Sequence, residues 1–249
     1  ASTYYRALDL VDNPEHRAKR ALHDLHHAEQ IKRIWKESLG RYGVRKVWQQ
    51  LKREGYVIAR CTVARLMQKL GIQGVWRGKN KQTTRSRDDQ KRADDLVKRN
   101  FNADHPDQLW VADFTYIQTH SGWVYTAFII DVFSRAIVGW KVSTRMNTDM
   151  VLDALEQALH DRGMPKNVIH HSDRGVQYLS IRYTNRLEAA NLRASVGTTG
   201  DSYDNALAET VNGLYKTEVI EYLKADWQGL ADVQLATLNW VDWFNKERV

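Results

Sequence analysis

The chain has 249 residues, 43% hydrophobic and 27% charged, a balance that supports one large or two modest globular domains and excludes collagen-like and low-complexity classes. Lys and Arg total 37 against 30 acids for a formal charge of +7, and a single cysteine excludes a disulfide framework or a multi-cysteine zinc ribbon. No apolar run is long enough for a membrane span and the first residues lack the apolar core of a signal peptide, so a reduced, cytoplasmic setting with no membrane partner is the expectation.

The charge is divided unevenly along the chain. Residues 1–100 carry 24 Lys/Arg and 11 Asp/Glu, whereas residues 101–249 carry 13 and 19. A basic part suited to a polyanion thus precedes a part that keeps its carboxylates for another purpose, although ordinary helix surfaces rich in Lys and Arg give the same count.

Asn13-Pro14-Glu15 reads as a helix start, with a capping Asn, Pro at the first position and an acid in the first turn. A helical pattern through Leu22, Leu25, Ile31, Ile34 and Trp35 runs to Gly40. Val44, Val47, Trp48 and Leu51 then form a helical stripe ending near Gly55, and Val63, Leu66, Met67 and Leu70 form a second, stopped by Gly71. Two short helices with a brief connection outline a helix-turn-helix at about 41–72. Arg45 and Lys46 on the first helix and Arg60, Arg65 and Lys69 on the second are candidate DNA contacts, as a groove-facing helix would present them. A plain helical hairpin with solvated basic residues has the same outline. Residues 77–104 follow as a strongly charged linker beginning with Arg77 and Lys79, suited to a phosphate backbone.

From Asp107 the texture changes to strands. Leu109–Gln118, Trp123–Val132 and Ala136–Val142 are runs of apolar and β-forming residues joined by tight turns, which predicts three antiparallel strands. Asn147 or Thr148 caps a helix bearing Val151, Leu155 and Leu159. A short strand at Val168-Ile169 leads to His170-His171-Ser172-Asp173, and then come a helix at about 181–190, a strand at 192–196 and a helix from about 202 to 223. The order βββαβαβα describes an α/β fold with a mixed five-stranded sheet.

Three carboxylates demand an explanation. Asp113 lies inside an apolar strand, where an ionised group is costly unless it is paired or holds a metal. Asp173 stands at a strand end, and Glu209 lies in a later helix with Lys216 two turns on, along the same face. Hard oxygen ligands from separate elements suit Mg²⁺ or Mn²⁺ better than zinc, and two such ions serve phosphoryl transfer. Asp131 is equally strand-like and could instead brace a turn.

The order Asp113, Asp173, Glu209, with 35 residues between the last two, and the stretches QLWVADFTYI, VIHHSDRGVQYLS and SYDNALAETVNGLYKTEVI resemble the three catalytic blocks of bacterial insertion-sequence transposases of the DDE type. More narrowly, they resemble the second-frame product of the IS-three family, relatives of retroviral integrases. RYGVRKVWQQLKREG and VARLMQKLGI are similar to that family's helix-turn-helix-like segment. The resemblance implies a ribonuclease-H-like core at 105–225 behind a helical DNA-binding region at 1–76, with a C-terminal helix at 226–249 whose tail is cut short. It implies that Asp113, Asp173 and Glu209 are catalytic residues holding two Mg²⁺ (Mn²⁺ as substitute), and that Lys216 lies near the transposon-end DNA.

It also implies cleavage at transposon ends to give a 3′-hydroxyl, and transfer of that strand to another phosphodiester in a copy-out-paste-in manner. The partners would be double-stranded DNA of the terminal inverted repeats and of the target, a second or further copy of the chain, and a first-frame segment, all at the bacterial nucleoid. A catalytically silent DNA-binding regulator of the element, or a ribonuclease H, stands as the alternative.

Several weaker signals have ordinary readings, surface polarity for a histidine cluster and packing for the cysteine and tryptophans. His23, His26 and His27 have helical spacing but no completing ligand for zinc. Cys61 reads as a small buried residue, and Trp227, Trp240 and Trp243 as helix packing. His170 and His171 read either as neighbours of the metal site or as solvent-facing.

Overall fold

The computed structural model describes residues 5, 18–75, 95–97, 100–173, 175–197, 205–223 and 226–248. The helix start expected at Asn13–Glu15, the candidate contacts Arg77 and Lys79, and most of the basic linker lie outside them. The chain separates into two compact units, Ala1–Trp76 and Arg77–Arg248.

The first unit holds three helices, α1 (Lys19–Glu37), α2 (Val44–Arg53) and α3 (Arg60–Lys69). Their apolar stripes converge: Ile31 and Ile34 from α1, Val47 and Leu51 from α2, and Val63, Leu66 and Met67 from α3 are all buried. Two indole N–H groups pin the connections, Trp35 donating to the Gln73 carbonyl and Trp48 to the Ile58 carbonyl, each at 2.8 Å. Cys61 is exposed, against expectation. It sits two residues before Val63, about 200° round the helix from the buried stripe.

The second unit is built on a five-stranded sheet of order β3-β2-β1-β4-β5. β1 (Leu109–Thr119) and β2 (Gly122–Asp131) form a hairpin in register from Trp110↔Asp131 to Thr119↔Gly122, so that His120-Ser121 is a two-residue turn. β3 (Ile137–Ser143) continues antiparallel on β2. The chain crosses through α4 (Thr148–Asp161), whose N-cap is Asn147, to β4 (Ile169–Ser172), which runs parallel to β1. It then passes through α5 (Ile181–Ala189) to β5 (Arg193–Val196), parallel to β4. α6 (Ala206–Tyr215) continues into a π-helical turn (Lys216–Glu221), and α7 (Leu230–Lys246) follows.

Strand alternation sends side chains to both faces of the sheet, and both are covered. Trp110, Ala112, Ala127 and Ile129 pack with Met150, Leu155 and Leu159 of α4 and Leu187 of α5. Val111, Phe128 and Ile130 pack on the other face with Val211 and Tyr215 of α6 and Trp240 of α7. α4 lies close on β3 because Gly139 has no side chain: a Cβ there would stand 2.2 Å from the Ala154 carbonyl oxygen. Glu218, buried in the π-helical turn, accepts from the Trp240 indole at 3.1 Å and from Arg248 at 3.0 Å, which fastens the C-terminal half of α7 to that turn. Val97, at the end of the stretch expected as a linker, is buried in the second unit's core, and the Leu96 N–H donates to Ser195 Oγ at 3.0 Å.

Asp131 is fully buried and braces a turn. Its oxygens accept from Ser134 N and Oγ at 2.8 and 2.6 Å and from Asp107 N at 3.0 Å. Trp240 is buried in the core, and Trp227 and Trp243 pack against it as partly buried residues. Among the described residues, no helix is long and apolar enough to cross a membrane.

Candidate active site

The parallel pairing of β1 with β4 ends at Ala112↔Ser172, so Asp113 and Asp173 are the next residue on each of two adjacent parallel strands. Carboxylates brought side by side where the pairing of two neighbouring strands ends cannot both ionise freely, and burial adds to the effect. Burial, reinforced by the charge of Asp173 and in smaller part by that of Glu209, holds the Asp113 carboxyl well above the usual carboxylate range. Burial also raises Asp173. Both remain partly accessible to solvent.

Each aspartate is held by a fixed donor. Asp113 Oδ1 accepts from the Phe114 N–H at 2.8 Å, and its Oδ2 accepts from Asn212 Nδ2 at 2.9 Å. Asp173 Oδ1 accepts from the Gly175 N–H at 2.9 Å, in a turn so close that a Cβ on Gly175 would lie 3.0 Å from that oxygen. Asn205, the residue before α6, donates from Nδ2 to the carbonyl of Ala112 at 2.9 Å. Two asparagines therefore stitch α6 to β1 on either side of the Asp113 side chain. Both are buried, and among the described residues Oδ1 of each has no hydrogen-bond partner, nor does the buried Tyr178 hydroxyl. Burial raises the Tyr178 pKa, and the charges of the two aspartates add to it.

Glu209 is on the same helix, one turn before Asn212, with its side chain exposed. Its charge reaches Asp113, but among the described residues no three His, Cys, Asp or Glu side chains are arranged to hold a metal ion. The structure thus brings Asp113 and Asp173 together and leaves Glu209 at the rim. Two neighbouring, partly accessible carboxylates with raised pKa values, beside buried amide oxygens that have no hydrogen-bond partner among the described residues, are a donor set a hard divalent cation would suit.

His170 and His171 are buried, which removes the solvent-facing reading. His170 Nε2 meets the Tyr183 hydroxyl at 3.0 Å, and burial holds the ring neutral, its pKa pushed down to about 4. His171 Nδ1 meets Ser195 Oγ at 2.9 Å. Lys216, at the start of the π-helical turn, places its ammonium 4.5 Å from the centre of the Tyr116 ring.

The other basic candidates lie in the first unit. Arg45 is exposed on α2 and Arg60 and Lys69 on α3, while Lys46 lies over the Tyr42 ring at 5.1 Å. Arg65 is engaged by Asp24 of α1 through two hydrogen bonds of 2.7 and 2.9 Å, which takes its guanidinium from the role of a free groove contact. Sequence reasoning missed Asn212, although its position three residues after Glu209 puts it on the same helix face.

Residues 103–202 match the model of the integrase core domain family, residues 190–249 a second integrase core domain model, and residues 23–80 an HTH-like domain. The transposase for insertion sequence element IS629 of Shigella sonnei is 55% identical over 248 residues, covering 100% of this chain and 82% of that protein. The putative transposase for insertion sequence element IS986/IS6110 of Mycobacterium tuberculosis is 49% identical over 253 residues, covering 100% of this chain and 89% of that protein. Among solved structures, a chain of the simian T-cell lymphotropic virus intasome in complex with PP2A regulatory subunit B56 gamma has a TM-score of 0.50 at 15% identity, covering 88% of this chain and 69% of that one. That last likeness is one of fold.

Proposed function

The chain belongs to the transposases of insertion sequences, with an integrase core domain and an HTH-like domain, and from that premise we propose that it cuts and joins DNA at a site formed by Asp113, Asp173 and Glu209. The observation that carries this reading is the pair of aspartates set side by side where the pairing of β1 with β4 ends, whose mutual repulsion a cation would relieve. Bound between them, Mg²⁺ or Mn²⁺ would supply Lewis acidity to a phosphodiester. The Phe114 N–H and Asn212 hold the two oxygens of Asp113, and the Gly175 N–H holds one oxygen of Asp173, so both carboxylates keep a set direction. Glu209 completes the acids from the rim of α6, and the Lys216 ammonium is available to a phosphate beside them.

Two displacements account for the transfer. Water attacks a phosphodiester at the transposon end, the P–O3′ bond breaks, and a 3′-hydroxyl and a 5′-phosphate result. That 3′-hydroxyl then attacks a second phosphodiester, forming a new P–O bond while that phosphodiester's P–O3′ bond breaks and its leaving 3′ oxygen takes the proton. The exposed basic residues of α2 and α3 would hold duplex DNA, and a second copy of the chain would hold the other end.

Labelled end DNA tests the assignment. Asp113→Asn should lower Mg²⁺-dependent nicking by more than about 100-fold, since even residues that only position a metal ligand cost 10–100-fold. DNA binding by that variant should stay within a few-fold of wild type. Nicking that persists in Asp113→Asn sinks the assignment.

A further inference from the structure

One exposed aromatic pair stands outside both apolar clusters. Tyr116 on β1 and Trp123 on β2 meet edge to face with ring centroids 5.3 Å apart, and Trp123 is 48% exposed. The register sets Tyr116 opposite Tyr125 and Gln118 opposite Trp123, so these four side chains share one face of the hairpin. The Lys216 ammonium, reached from the helix that carries Glu209, lies 4.5 Å from the Tyr116 ring centre.

The position along the strand matters as much as the chemistry. Tyr116 is three residues past Asp113, roughly 10 Å at the rise of a strand. The two alternate to opposite faces of β1, and among the described residues the pairing of β1 with β4 stops at Ala112↔Ser172. A DNA strand leaving the aspartates would pass that edge of β1 and meet the aromatic pair within a few nucleotides.

We propose that Tyr116 and Trp123 form a stacking ledge for an unpaired base at the DNA end, with Lys216 on the adjoining phosphate. This rests on the cleavage reading for the location of the DNA end. The chemistry selects the occupant. Intact duplex offers phosphates but keeps its base faces stacked, whereas an unpaired nucleotide presents an aromatic face and a phosphate together. An apolar protein surface would instead bury the Lys216 charge without a counter-charge.

The test uses the full chain without divalent ion and two probes: a blunt end duplex, and the same duplex with a short unpaired tip carrying 2-aminopurine, in either polarity. Wild type should bind the tipped duplex more tightly and quench the 2-aminopurine. Trp123→Ala should weaken tipped binding on the order of ten-fold and abolish the quench, while blunt binding stays unchanged. Trp123→Phe should restore the quench. Equal wild-type affinity for the two probes, or an equal loss on both in Trp123→Ala, overturns the ledge. Nicking of the same duplexes with Mg²⁺ keeps the two readings apart: its absence in wild type counts against cleavage alone, and an unchanged quench in Trp123→Ala counts against the ledge alone.

Discussion

Asp113 carries a proton that a solvated aspartate would have lost. Its carboxyl is pushed up to about 8 by burial and by the neighbouring Asp173 charge, against an ordinary value of 3.8. The folded state therefore binds more protons than the unfolded state between those values, and the metal-free protein should lose stability as pH rises from about 4 to about 8. Thermal unfolding across that range should show the decline. Asp113→Asn should reduce its slope, and added Mg²⁺ should reverse it in wild type but not in the variant. Asn212 acts on the same carboxylate through one hydrogen bond of 2.9 Å. Asn212→Ala should lower Mg²⁺ affinity and nicking by about 10–100-fold, as removal of a ligand's supporting partner does. Isothermal titration and nicking rates measure it, and a variant with unchanged affinity would leave Asn212 as a purely structural link between α6 and β1.

At the scale of the element, the helices of the first unit separate charges that look alike in sequence. Arg60 and Lys69 are exposed on α3, whereas Arg65 on the same helix is committed to Asp24. Arg60→Ala and Lys69→Ala should each lower the salt slope of DNA binding by about 0.9, the signature of one lost phosphate contact. Arg65→Ala should leave that slope unchanged and stability near wild type, as loss of an exposed ion pair does. In the second unit, α4 approaches β3 only because of Gly139. Gly139→Ala forces backbone against Cβ and should destabilise by about 1–3 kcal/mol in chemical denaturation.

Across the second unit, both faces of the sheet are covered, and Trp240 is the largest side chain fully buried on the α6 and α7 side. It stacks against Tyr215 and Phe128 and donates to Glu218. Trp240→Ala should cost about 3–5 kcal/mol through the cavity and the loss of one hydrogen bond to Glu218. The unfolding transition of this unit should fall by about 2–4 °C for each kcal/mol. The uneven charge along the chain has a counterpart at this scale, since the basic stretch lies mostly before the core and the paired aspartates lie within it.

Element boundaries were legible because helix and strand periodicity and a cap such as Asn147 are local properties of the chain. The candidate acids could be picked out because an Asp in an apolar strand is costly wherever that strand lies. Periodicity could not rank Asp113 above Asp131, which sit in equally apolar strands: pairing of β1 with β4 puts the first beside Asp173, while the turn after β2 wraps the second in hydrogen bonds. Nor could it show that Asn212 grips Asp113, that Arg65 is occupied by Asp24, that Cys61 faces out, or that Lys216 lies over Tyr116. Each of these depends on which distant segments become neighbours, and that is decided by the joint burial of many apolar side chains.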